Sequence, residues 1–221
     1  MQLECFFIVT VLWVFSVCLH EFGHAWVAYH GGDVTVQAKG YLSMNPLRYT
    51  HPIYSILMPV AFVMLGGIGL PGGAVYIDRS LLRSRAWGTA VSLAGPAMNL
   101  ALIALLGVAF RTGLIPPDGS KLATISMALL LQLQVSALLL NLLPVPPLDG
   151  FQALAPWLPH EWRERMSGLS NVGLFALFLA LWYVAPLNHA FWTAVHDICG
   201  LLGVDRYWSY LGYRAFRFWE E

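Results

Sequence analysis

The sequence predicts an all-α polytopic membrane protein: a bundle of about five to six transmembrane or re-entrant helices with a short β-hairpin-like segment at the membrane surface. Three observations carry this. The 221 residues are 58% hydrophobic and only 11% charged, against ~45–50% apolar and ~25% charged in a soluble domain. Apolar runs long enough to cross a bilayer recur along the chain. No internal repeat, low-complexity tract or soluble-domain linker separates them, so residues 1–221 read as a single membrane domain. Its core covers roughly 5–158, with C-terminal helices and an interfacial tail over 159–221. A formal net charge of zero, with no basic or acidic block, speaks against nucleic acid as a partner.

The first span is expected over 5–29. It lacks the positively charged start of a secretory signal and reads as uncleaved. Gly31-Gly32-Asp33 ends it. Residues 34–50 mix β-branched and polar residues around Gly40 and Asn45-Pro46, which suggests a hairpin or extended edge. The apolar segment 53–70 contains Pro59 and leaves through Gly66–Gly73, as a full span or a re-entrant segment. Clear spans follow over 86–110 and 122–143. Residues 151–170 look interfacial, 171–187 barely reach the ~17–25 residues of a span, and 189–204 read as a last span or a surface helix. From Asp205 onward, aromatics alternate with Arg206, Arg214 and Arg217, as in an interfacial anchor. Cys5, Cys18 and Cys199 are odd in number and set in apolar sequence, so buried thiols are expected and no disulfide framework.

One stretch is out of keeping with the rest. His20-Glu21-Phe22-Gly23-His24 places three ionisable side chains within five residues of an apolar span, where each costs roughly 2.5 kcal/mol or more unless it has a task or a partner. At i and i+4 on a helix, His20 and His24 share a face and can offer two imidazoles to one metal ion. Glu21 stands beside them, placed to take a proton from water. A metal site needs a third protein ligand. Asp149 is the candidate, at the end of the 122–143 span, after Pro144, Pro146 and Pro147 and before Gly150. Alone, Pro-Pro-Leu-Asp-Gly reads equally well as a surface turn; beside the histidine pair, the ligand reading is preferred. His30, His51, His160, His189 and His196 lack a metal-spaced partner and read as interfacial or structural.

With His20-Glu21-Phe22-Gly23-His24, Gly95-Pro96-Ala97-Met98-Asn99 and Asn141-x-x-Pro144-x-x-Pro147-Leu148-Asp149-Gly150 in view, the chain resembles the site-2 protease family of intramembrane zinc metalloproteases. The resemblance covers roughly residues 10–155 and is to a compact form without a PDZ domain. It implies one Zn²⁺ per chain, held by His20, His24 and Asp149, with Glu21 as general base. It also implies that Asn141 polarises the scissile carbonyl or stabilises the oxyanion; an interhelical hydrogen bond is the plainer role for such an amide. Asn99 reads as that kind of interhelical contact. One departure is Tyr49 and His51, where close relatives tend to carry a His and an Asp after Asn-Pro-Leu.

Convergence of His20, His24 and Asp149 requires the first span and 122–143 to run parallel, with 86–110 antiparallel to both. Segment 53–70 must then return to the side it started from. The metal-proximal side would hold Lys39, Arg48, Arg79, Arg83, Arg85, Arg163 and Arg165, the other only Arg111 and Lys121. By the positive-inside rule the metal lies nearer the cytoplasm. The expected location is a multi-pass position in a prokaryotic plasma membrane. The expected partners are a membrane-spanning protein substrate and the lipid bilayer. The expected activity is hydrolysis of peptide bonds in or near transmembrane segments, as in regulated intramembrane proteolysis. The alternative is a non-proteolytic zinc transporter or sensor. It is disfavoured because spans 86–110 and 122–143 contain no Asp, Glu or His for an ion relay.

Overall fold

The structure is a computed structural model and describes residues 2–45, 75–118 and 121–219. Helix α1 runs Gln2–Gly31, about 45 Å at 1.5 Å per residue, long enough to cross with length to spare. It stops at Gly32, whose φ of 121° suits only glycine. Asp33 N–H then reaches back to the Ala28 carbonyl at 3.0 Å. Asp33 is fully buried and accepts the Thr35 N–H at 3.0 Å and the Thr35 hydroxyl at 2.6 Å. These two bonds start a short helix, α2 (Thr35–Ala38).

Residues 34–45 are therefore a helical turn and bends, not the strand expected from Val34, Thr35 and Val36. The Asp33 side chain, bonded to Thr35 from just ahead of the helix, overrides the weak β-propensity of those side chains. The rest of the expected hairpin, and the whole of 53–70 with its expected re-entrant path, lie outside the described residues. The chain is next described at an extended stretch, 75–78, and a 3₁₀ turn at Arg79–Leu81.

Helix α3 (Arg85–Arg111) is capped by Ser84 Oγ accepting from the Trp87 N–H, and it carries Pro96 within it. Helix α4 (Leu122–Asn141) is buried around its circumference, and so is the centre of the bundle. Pairing of His24 with Val91 and of His20 with Asn99 sets α1 and α3 antiparallel. Cys5 near Ser126, with Glu21 and Asn141 around one cavity, sets α1 and α4 parallel. These are the directions that metal binding required.

Close packing replaces the hydrophobic driving force between spans, so small residues mark the contacts. A Cβ on Gly23 would lie 2.9 Å from the Ala94 carbonyl oxygen of α3. The core of α1 and α4 (Cys5, Val9, Trp13, Leu129, Leu133) is sealed by α9 (Arg206–Phe216) through Ala215 and Phe216. Ser209 Oγ donates to the Ala128 carbonyl at 3.3 Å, and Gly212 packs against the backbone of Ile125. The aromatic and arginine-rich tail thus contains a helix docked on the bundle, one face buried and one exposed.

Among the described residues, three helices (α1, α3, α4) are long and apolar enough to cross a membrane; the expected five to six transmembrane or re-entrant helices included 53–70, which lies outside them. A fourth span is reached if His160–Gly168 and Val172–Tyr183, bent by 63°, count as one. The expected span at 171–187 is cut short because Pro186 opens a new helix. Helix α7 (Ser170–Tyr183) ends, and α8 (Ala185–Leu201) begins within two residues. Between α4 and α7 lie α5 (Asp149–Leu154), a 3₁₀ turn at Ala155–Trp157, and α6 (His160–Gly168). Cys5, Cys18 and Cys199 are free and buried, as expected.

Candidate metal centre

His20 and His24 lie one turn apart on the buried face of α1, directed at the start of α5. Their Nε2 atoms are 3.0 Å apart. Asp149 Oδ2 is 3.2 Å from His20 Nε2, and Asp149 Oδ1 is 3.4 Å from His24 Nε2. Donors at ~2.0–2.1 Å from a tetrahedral ion lie roughly 3.3 Å from one another, so this spacing is that of a ligand set.

The hydrogen bonds of the rings strengthen the case. His24 Nδ1 is 2.7 Å from the Val91 carbonyl oxygen, which can only accept, so Nδ1 must carry the proton. His20 Nδ1 lies 2.5 Å from Asn99 Oδ1 and donates to it in the same way. With Nδ1 committed to an oxygen acceptor, each ring is free to turn an Nε2 lone pair toward the other and toward the carboxylate, as a metal ion requires. Asp149 Oδ2 is buried and has no hydrogen-bond partner. Donors converging in this way suit a bound cation. The residues fit a zinc ion, and among the described residues they are the one such group of His, Cys, Asp and Glu.

Local sequence explains why these groups meet. Gly95 of α3 faces the imidazoles, and a Cβ there would overlap His24 Nε2 and His20. Only glycine lets α3 come this close. Pro144, Pro146 and Pro147 prevent α4 from continuing, and the backbone folds back so that Gly150 packs on the Leu142 carbonyl. Asp149, at the first position of α5, is thereby brought under α1.

A cavity of about 440 Å³ opens on this cluster, lined among others by Glu21, Asn141, Tyr76, Arg79 and Gln152. Glu21 is buried, and its Oε2 accepts the Val75 N–H at 3.1 Å. The extended stretch 75–78 is fixed further along, where Asp78 N–H donates to Asp33 Oδ2 at 2.7 Å and Lys39 Nζ donates to the Tyr76 carbonyl at 3.2 Å. Arg79 donates to Ser92 Oγ at 3.0 Å on the cavity wall.

All five residues singled out from the sequence thus border one space. The other described histidines do not: His30 bonds the Trp26 carbonyl, His160 lies by Glu164, and His196 stacks on Trp192. Asn99 makes the interhelical contact expected of it, but sequence reasoning missed that its partner is His20. It touches a metal-ligand candidate, and its Nδ2 donates to Gln134 Oε1 at 2.9 Å. The signal was the spacing: Gly95 and Asn99 are i and i+4 on α3, matching His24 and His20 read in the opposite direction on α1.

Comparison with known proteins agrees with this chemistry. The chain is 42% identical over 215 residues to "Putative zinc metalloprotease Rip2" of Mycolicibacterium smegmatis, covering 97% of this chain and 82% of the relative. It is 43% identical over 216 residues to the protein of the same name from Mycobacterium tuberculosis, with the same shares covered. It is 34% identical over 191 residues to "Putative zinc metalloprotease YwhC" of Bacillus subtilis, covering 83% of each. No protein-family model matches the chain, and no solved structure matches it. With identity of this degree along nearly the whole chain, it belongs to the Rip2/YwhC family of bacterial zinc metalloproteases, zinc-dependent peptidases.

Proposed function

We propose that this peptidase works within the membrane, as a site-2-type protease cutting peptide bonds in or near transmembrane segments of membrane-anchored proteins. The observation that carries the reading is the placement of a buried His, His, Asp cluster and a buried glutamate on helix α1, itself a candidate membrane span. Zinc held by His20, His24 and Asp149 supplies the Lewis acidity that acidifies a water and polarises a carbonyl. Glu21 takes the proton as the water oxygen bonds to the carbonyl carbon. It then delivers that proton to the amide nitrogen as the C–N bond breaks. Asn141, a buried amide on the cavity wall, donates to the carbonyl oxygen on which charge develops.

The cavity is roomy enough for an unwound segment, and a substrate must reach it in extended form to expose a carbonyl. The stretch Val75–Ile77 runs along the same wall. Its backbone offers the pairing that an extended peptide needs. The bias of lysine and arginine toward the metal-proximal side supports a site nearer the cytoplasm of a bacterial plasma membrane. The resemblance to site-2 proteases implies a role in regulated proteolysis, releasing a membrane-tethered regulator.

The test is Glu21→Gln, assayed on a transmembrane substrate in bilayers. The variant keeps its zinc and loses roughly 10²–10⁴-fold in cleavage rate. Undiminished cleavage would end the mechanism.

A further inference from the structure

We propose that Asn99 and Gln134 form a positioning relay that sets His20 as a metal ligand, and that they are not ordinary contacts between helices. The proposal rests on zinc being held by His20, His24 and Asp149. The two histidines are steadied differently. His24 leans on a backbone carbonyl, that of Val91, which no side-chain substitution removes. His20 depends on a side chain that could as well face the other way: an Asn amide presents an oxygen from one side and N–H groups from the other. If Asn99 turned its Nδ2 toward His20, the ring would shift its proton to Nε2 and lose the lone pair a metal requires.

Gln134 prevents that turn. Its Oε1 accepts from Asn99 Nδ2 at 2.9 Å, which leaves Asn99 Oδ1 pointing at His20 Nδ1, 2.5 Å away. Both amides are buried, Asn99 at 5% and Gln134 at 1% exposure, so water cannot substitute for either contact. Two amides that merely hold helices together can bond reciprocally, each N–H to the other's oxygen. Here donation runs one way, from the ring on α1 through Asn99 on α3 to Gln134 on α4. Gln134 Nε2 is left buried with no acceptor. A helix contact selected only for cohesion would not keep an orphaned donor. A directional relay ending on an imidazole does, because its far end must present an oxygen.

The experiment measures zinc affinity of the full chain in detergent by competition with a chromophoric chelator, alongside helical content and thermal midpoint. Asn99→Leu is expected to weaken zinc by roughly 10–100-fold. Asn99→Asp is expected to restore most of it, since a carboxylate accepts from His20 whichever way it turns and gives Gln134 Nε2 an acceptor. Gln134→Met should weaken zinc in the native background and have much less effect in the Asn99→Asp background, where there is no wrong face to present. Unchanged zinc affinity in Asn99→Leu, or a Gln134→Met effect of the same size in both backgrounds, would overturn the relay. If Asn99→Leu fails to fold, the Asn99→Asp and Gln134→Met comparison decides. A native chain that binds no zinc would instead refute the ligand set.

Discussion

Gly95→Ala adds one methyl group at the point where α3 meets both imidazoles. The new Cβ would lie 2.6 Å from His20 Cε1 and Nε2 and overlap His24 Nε2, where ordinary contact begins at 3.4 Å. Relief requires a movement of at least about 0.8 Å by the rings or by α3, several times the ~0.2 Å tolerance of a metal–ligand distance. A misplacement of about 1 Å costs on the order of 10²-fold in rate, and zinc affinity should fall at least tenfold with it. Stability should change much less. Overpacking costs about 1–3 kcal/mol, of which Ala over Gly in a helix returns roughly 0.5–1 kcal/mol. The assay is zinc content per chain and cleavage of a transmembrane substrate, with thermal midpoint as the reference. Gly200→Ala is the control, since a Cβ there meets nothing within 4 Å. Zinc content and cleavage within threefold of native in Gly95→Ala would refute the argument that this glycine makes room for the site.

Three further outcomes are expected. Gly212→Ala drives a Cβ into the Ile125 carbonyl, so α9 should loosen from α1 and α4 and stability should fall by about 1–3 kcal/mol, read by denaturation in detergent. Asp33→Ala removes the acceptor of the Thr35 and Asp78 bonds. Each buried donor left unpaired costs about 1–3 kcal/mol, and faster hydrogen exchange at Asp78 would register the loss. Removing the metal with a chelator should abolish cleavage and zinc addition should restore it, with helical content retained; a chelator-insensitive cleavage would contradict a zinc-dependent peptidase.

The candidate site was more legible than the fold around it. Ionisable residues in an apolar span are costly enough to stand out, which is why His20, Glu21 and His24 could be picked from the letters and why Asp149 followed. Helix directions came with them, because three ligands on distant segments permit few arrangements. Asn99 was harder to place. An amide at a helix interface is ordinary, and only the matching i, i+4 spacing on α1 and α3 ties it to His20. Residues 34–45 misled because Val34, Thr35 and Val36 favour strands, while the buried Asp33 side chain that turns them helical acts through contacts composition does not reveal. The break in the apolar run 171–187 was not foreseen, because Pro186 divides it into two helices. The docking face of the tail was hard to see because an amphipathic helix has the same pattern whether its apolar face meets lipid or protein; Ser209 and Gly212 were the small residues marking it for packing.

The seam closed by α9 bears on how the protein is made. Cys5 near the start of the chain and Gly212 near its far end touch, Cys5 Sγ lying 3.7 Å from the Gly212 carbonyl oxygen, and Ser126 joins them at 3.3 Å from the same sulfur. Every metal-ligand candidate is synthesised well before residue 206. A nascent chain can therefore bring its zinc donors together while one side of α1 and α4 still faces lipid. The order of synthesis thus allows acquisition of the metal to precede closure of the bundle. A chain stalled between them would carry an assembled centre in an unfinished wall, which is the species a membrane quality-control protease would meet first.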